Sequence, residues 1–322
     1  MVLLTDFLTL FTGIWLEAAP FFIIGILLSN VITVLVPDSF FQKRIFKNPL
    51  IGIPFGIFCG FFMPICDCAS VPVFKKLIDR GMPYCTAIAF LLAAPIVNPV
   101  VLISTWYAYN GNLKIVLSRT ILGIICTLIA SLTFAFGKGK IGYSKQSILV
   151  MKENVFKRNT AKNNVAKRSP LEIVILILTQ SQKEFLTTGI WQSAGIFLAA
   201  IFQTIIKMGN GSSSFTTLFG ATNATSLSNT LLLIAIMMML AYVLSLCSSS
   251  DAIICNVIAR SLPPVAQLAF LVFGPMMDIK NTVLLSGLCS PKLALRIALT
   301  TVFVCFAVFA ILAAFNLGAW LI

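Results

Sequence analysis

The sequence predicts an all-α polytopic membrane protein: about eight hydrophobic segments in two repeated halves, with broken or re-entrant helices at matching positions. Three observations predict it: an apolar composition, apolar stretches of spanning length, and a self-similarity at a spacing of 180 residues. Of 322 residues, 59% are hydrophobic and 10% charged, with a mean hydropathy of +1.00. A soluble domain is nearer half apolar and a quarter charged. A soluble core of this size could not hide so much apolar surface, whereas a bilayer accepts it. Residues 1–6 carry no basic segment, so the first apolar stretch reads as a retained span and not as a cleaved signal.

The net charge of +13 does not point to nucleic acid. Lys and Arg cluster between the apolar stretches, mainly over residues 138–183, as the positive-inside bias requires. The expected partners are therefore the lipid bilayer and a small-molecule or ion substrate, with a membrane partner subunit left open. Nine cysteines and no histidine are present. Cys126 and Cys305 lie in apolar runs and read as small buried hydrophobes. An odd number scattered through spans is not a disulfide framework.

Spans need about 20 apolar residues. The first covers residues 7–36. The second, 49–74, is broken by Pro64, Pro72 and the polar run Cys66-Asp67-Cys68. The third, 83–109, is interrupted by Pro95, Asn98 and Pro99, and the fourth covers 113–136. Residues 137–184 read as a basic cytoplasmic linker whose apolar piece, 171–178, is too short to span and is expected to lie along the interface as a helix. Four more stretches begin near Phe185, Thr230, Pro264 and Leu293. The expected organisation is a first transmembrane repeat at 1–136, the linker at 137–184 and a second repeat at 185–322.

The repeat rests on residues 80–98 set against 260–278. Six of those nineteen positions are identical: Arg80/Arg260, Pro83/Pro263, Ala89/Ala269, Phe90/Phe270, Leu91/Leu271 and Pro95/Pro275. Asn98 falls opposite Asp278. One residue of slippage upstream sets Cys66 opposite Cys247 and residues 66–70 opposite 247–251. Apolar composition supplies Ala, Phe and Leu matches readily, but not an Arg, two prolines and a polar break at one offset. Repeated halves with interrupted helices are the mark of a secondary transporter. A helix broken at membrane depth frees backbone groups, which is tolerable only against protein or a water-filled cavity.

Charge counts favour hairpins. If every stretch spans, with the linker inside, the inside holds 14 Lys and Arg and the outside 8. If 49–74 and 230–258 turn back as re-entrant hairpins, the inside holds 18 and the outside 4, namely Lys114, Arg119, Lys207 and Arg260. The hairpin topology makes the halves an inverted repeat with both termini outside.

Several residues could carry chemistry. Cys66 and Cys68, one residue apart beside Asp67, could hold a soft metal ion or a thiophilic metalloid; the plainer alternative is two packing cysteines at a helix break. Cys247 and Asp251 flank three serines at the matching place. Asp278, Lys280 and Asn281 follow Pro275, and ionisable residues inside a span are functional by default. Asp278 with Lys280 could instead be a structural pair, although neighbours two apart on a helix do not face each other. Asn98 is the counterpart of Asp278, and Pro64, Pro95, Pro99 and Pro275 mark the breaks. Glu17, before Pro20 in mid-span, and Asp278 are candidates for coupling; snorkelling or a hydrogen bond to a neighbour would also account for Glu17.

Residues 61–68, Phe-Phe-Met-Pro-Ile-Cys-Asp-Cys, together with 94–99 and with Gly274-Pro275-Met276-Met277-Asp278-Ile279-Lys280-Asn281, resemble the ArsP/YraQ-type predicted permeases over nearly the whole chain. The resemblance implies a multi-pass permease of the bacterial inner membrane. Some members of that family export trivalent organoarsenicals, and Cys66 and Cys68 fall on its paired thiols. An enzyme is not expected. Without histidine, H-E-x-x-H and His-based triad chemistry are excluded, which leaves a thiol oxidoreductase using Cys66 and Cys68 as the rival of that class. No phosphate-binding G-x-x-x-x-G-K-[ST] loop is present, and no cofactor is expected. Metal-ion uptake, a channel and a non-transporting membrane subunit are the remaining rivals.

Overall fold

The computed structural model describes residues 2–35, 48–63, 65–136, 170–208, 227–259 and 262–315. They form twelve α-helices, and the described residues contain no strand. The first six are α1 (Val2–Leu35), α2 (Pro49–Phe62), α3 (Asp67–Asp79), α4 (Tyr84–Val97), α5 (Pro99–Ala108) and α6 (Leu113–Phe136). The second six are α7 (Pro170–Met208), α8 (Leu227–Leu244), α9 (Asp251–Ile258), α10 (Pro264–Met276), α11 (Ile279–Leu288) and α12 (Pro291–Ala314). Seven stretches are long and apolar enough to cross a membrane, with α2 a shorter apolar helix. The protein is an all-α multi-pass membrane protein.

Two of the seven stretches, Tyr84–Ala108 and Pro264–Leu288, are each two helices in line with a break between them. Pro95 sits near the end of α4 and Pro275 near the end of α10. Each lacks the amide that would continue the ladder. Pro99 then occupies the first position of α5, where a missing N–H costs nothing. Both stretches lie mostly inside the protein, and α4 and α10 form the centre of the main hydrophobic core.

The helices before each break turn back on themselves. Gly56 of α2 packs against Thr86, Ala89 and Phe90, and Gly60 packs against Ala93 and Ala94. Both numbers rise together, so α2 and α4 run side by side in the same direction. The intervening α3 must therefore run the opposite way. At 1.5 Å per residue α2 and α3 are each about 20 Å long, short of the roughly 30 Å hydrocarbon core. A side chain at Gly56 would meet the Thr86 carbonyl at 2.5 Å, and the glycine allows that approach. In the second half Ala241 of α8 meets Gly274, and Ser245 beyond it meets the amide of Ile279. Thus α8, although 18 residues long, ends at the α10–α11 break and the chain returns through α9.

Outer helices of the two halves pair head to tail. Along α1 and α7, Phe7 meets Phe197, Trp15 donates to Ser193 (3.0 Å), Phe22 meets Phe185 and Asn30 donates to Ser181 (3.0 Å). Between α6 and α12, Phe134 lies under the Arg296 guanidinium and Cys126 beside Cys305.

Two expectations are corrected. The apolar piece at 171–178 is not a separate interfacial helix: α7 runs unbroken for 39 residues from Pro170. Between its first residue and Gly189 nothing breaks a helix, and Asn30 and Lys76 hold Glu184 at 2.9 and 2.6 Å. Arg119 does not belong to an outside loop; it is fully buried in α6. Pro64, Arg260, the basic run 138–168 and residues 209–226 lie outside the described residues.

The hairpin geometry makes a topological prediction. In intact cells an impermeant thiol reagent should reach a cysteine placed in the turn at 110–112 and not one replacing Asp79, an exposed residue at the end of α3. Equal labelling of both would mean that the α2–α3 hairpin crosses.

Candidate functional site

Four helix N-termini meet where the hairpin tips touch the breaks. Asn98 caps α5 by accepting from the Val100 amide (3.0 Å), while its amide donates to the Ile65 carbonyl at the first tip (3.1 Å). Asp278 caps α11 by accepting from the Asn281 amide (2.7 Å). At the second tip the Ser245 hydroxyl accepts from Ile279 and Lys280 (3.1 and 3.4 Å). Asp67 and Asp251 are the first residues of α3 and α9. All four positions place an acid or an amide where the helix dipole and the unpaired amides favour it.

Three cationic or anionic contacts decide the electrostatics. Lys280, 1% exposed, lies 3.9 Å from Asp67 and 3.5 Å from Asp278, both equally buried. The objection that residues two apart do not face each other fails here, because Asp278 is extended (φ −138°, ψ 178°) and precedes the helix. Charge-assisted hydrogen bonds run at about 2.7–2.9 Å, so the ammonium is held between two carboxylates without bonding to either. Among the described residues, both oxygens of Asp67, Oδ2 of Asp278 and Oδ1 of Asn281 have no hydrogen-bond partner. The other pair is different: Arg119 meets Asp251 at 2.6 Å and donates to Thr105 at 2.6 Å, with both charges buried. Asp251 is thus spoken for by a fixed partner.

The thiols sit beside the loose charge. Cys66 occupies the N-cap position of α3 without a side-chain bond to its amides, and Cys68 is the second residue of the helix. The two sulfurs and a carboxylate oxygen of Asp67 all lie within 4.8 Å of one another, in a buried setting. A soft ion about 2.3 Å from each sulfur spans sulfurs up to about 4.6 Å apart, so the donor set fits such an ion with little adjustment. Gln192 of α7 donates to Cys68 Sγ at 2.9 Å. Cys247 of the second tip lies within electrostatic reach of Asp67, Cys68 and Lys280. Gly195, whose added side chain would meet the Lys280 backbone at 3.0 Å, brings α7 against the start of α11.

The structure therefore gathers Cys66, Asp67, Cys68, Asn98, Cys247, Asp278 and Asn281 around the tips and breaks. Asp251 is nearby but engaged. Glu17 is not brought in; it lies on the exposed face of α1. Reading the sequence missed Gln192 and the buried pairing of Arg119; each lies inside a span among hydroxyl residues, Ser193 beside the first and Ser118 and Thr120 beside the second. It also missed the polar link Asn30–Lys76–Glu184, which ties α1, α3 and α7 (Lys76 to Asn30, 2.8 Å).

Comparison with known proteins gives the family. A protein of Streptococcus mutans described as "Putative two-component membrane permease complex subunit" is 30% identical over 292 residues, covering 90% of this chain and 89% of the relative. The UPF0718 protein YcgR of Bacillus subtilis is 30% identical over 277 residues, covering 86% of each. No solved structure matches the chain. The family described as "Predicted permease", of the ArsP type, matches residues 3–315, and the chain belongs to it.

Proposed function

We propose that this permease exports a small thiophilic solute, a trivalent arsenical or a soft metal ion, through the site at the tips and breaks. The observation that carries the reading is the buried Cys66–Asp67–Cys68 set at the N-terminus of α3. The Gln192 amide aimed at Cys68 Sγ holds that sulfur beside Cys66 and the Asp67 carboxylate, where deprotonation on binding would give the ligating thiolate. Two sulfurs together chelate what one would hold weakly. The cytosol keeps thiols reduced, so loading from that side and export follow. Permease relatives favour transport over catalysis.

We read the two halves as inverted copies that rock about this site. Support comes from the head-to-tail pairing of α1 with α7 and α6 with α12, and from caps placed 180 residues apart at Asn98 and Asp278. Such repeats place binding sites where discontinuous helices meet. Asp278 and Lys280 supply the movable charge. A membrane partner subunit completes the reading, by analogy with the Streptococcus mutans relative.

Flux in everted vesicles at matched protein level tests the thiols. Cys66→Ser and Cys68→Ser should each lower arsenite or soft-metal flux at least tenfold. The double variant should be little worse, since chelation needs both, and Cys126→Ser should be near wild type. Unchanged flux in the double variant removes the thiophilic reading. Asp278→Asn should abolish flux with insertion intact, because the change removes charge and keeps shape; full flux would make the residue structural. Arg119→Met should behave otherwise. Removing one partner of a buried pair costs about 3–5 kcal/mol, so the folded yield in detergent should fall, and Arg119→Met with Asp251→Leu should recover part of it.

A further inference from the structure

Glu17 is a carboxylate at the centre of a span, on a face that the fold leaves bare. It is residue thirteen of the 27-residue stretch Thr5–Val31. It makes no hydrogen bond or ion pair among the described residues. A charged group facing hydrocarbon at mid-depth is costly, and at this distance from either end it cannot reach the interface. Its surroundings sharpen the problem. Pro20 withholds the amide that would bond the Leu16 carbonyl, so a second acceptor stands beside the first. Gly13, one turn earlier, has no atom within 4 Å of where a side chain would begin. Gly13, Glu17, Pro20 and Ile24 follow helical spacing, and all are exposed. A bare glycine on a span lets another backbone come close.

We infer that this face of α1 docks a membrane-spanning helix of a second, different subunit that carries an arginine or lysine at mid-span, paired with Glu17. The inference rests on the partner-subunit reading above and adds where the partner sits and what it presents. Charge complementarity decides the occupant. Lipid tails offer no donor. A second copy related by a two-fold axis would set Glu17 against Glu17. Among the described residues the buried cations are engaged elsewhere: Arg119 with Asp251, Lys280 between Asp67 and Asp278, and Arg80 in contacts of its own at the end of α3. The exposed lysine on the adjoining helix, Lys183, sits beside Glu184 at the Asn30 end of α1, turns away from Glu17.

The test uses the full-length protein in the membrane of its own organism, with a benzophenone amino acid at position 13 or 24 and, as control, at exposed Phe303 of α12. The expected result is an adduct from 13 and 24, not from 303, whose cross-linked peptide maps by mass spectrometry to a span containing Arg or Lys. Glu17→Gln should lower recovery of that subunit about tenfold, as the loss of one membrane-embedded polar contact does. Exchanging the charges, Glu17→Lys with the partner's cation changed to Glu, should restore it. An adduct of twice the chain's own mass would replace the second subunit by a second copy and overturn the inference. A partner that co-purifies undiminished with Glu17→Gln and cross-links elsewhere overturns this docking face and leaves the partner reading standing. Absence of any co-purifying subunit overturns both.

Discussion

Helix breaks in the middle of a membrane protein leave backbone amides that neither lipid nor helix can satisfy, and the rest of this structure follows from that constraint. Four helices, α3, α5, α9 and α11, begin at the centre. Their free amides require acceptors, and Asn98, Ser245 and Asp278 provide them. Where the helix begins on an acid, as at Asp67 and Asp251, the dipole is met by a full negative charge. Those charges then need cations at the same depth, which is why Lys280 and Arg119 are buried. The glycines at 56, 60 and 195 let the backbones close around the arrangement.

The two compensating cations do unlike work. Arg119 bonds Asp251 and Thr105 at 2.6 Å each, a geometry that holds α6 to the start of α9. Lys280 stands 3.5 and 3.9 Å from two carboxylates of different halves. A planar guanidinium suits fixed, multiply bonded pairing, while an ammonium on a flexible stem can move between partners. With two carboxylates sharing one ammonium, the cluster carries an excess of negative charge whenever both acids are ionised. On the proposed reading, an incoming cation or movement of either tip would change the partner that Lys280 serves. The loose site, and not the tight one, is where the thiols lie.

Much of this was legible in the sequence because its punctuation is strong. Prolines and polar runs located the breaks, and the 180-residue offset placed Asn98 and Asp278, which both turn out to be helix caps. What the sequence hid depends on depth and on direction. The segment at 171–178 looked too short to span only because polar Thr179 to Glu184 follow it, yet polarity without proline or glycine does not end a helix. Arg119 counted as an outside charge, since counting cannot see a partner 132 residues away. The pairing of Asp278 with Lys280 was discounted by a rule for helical neighbours, whereas Asp278 stands before the helix. Glu17 looked like a site residue because hydropathy reports that a charge is in a span but not which way it faces.

The inequality of the halves bears on reversibility. If both tips carried paired thiols, a thiophilic solute could be held by four sulfurs, and a carrier that binds its cargo so firmly would release it too slowly to turn over. The second tip keeps one sulfur, Cys247, and puts serines where Cys68 and its neighbours would be. Hydroxyl oxygens are poor partners for soft ions. On the proposed reading, a solute leaving the Cys66–Cys68 pair therefore meets a weaker set of donors on the opposite tip. Passage from tight to loose ligands gives the site a release side without any new contact. On the same reading, because the hairpin tips belong to opposite halves, a rocking motion that exposed the site would also separate the strong ligands from the weak.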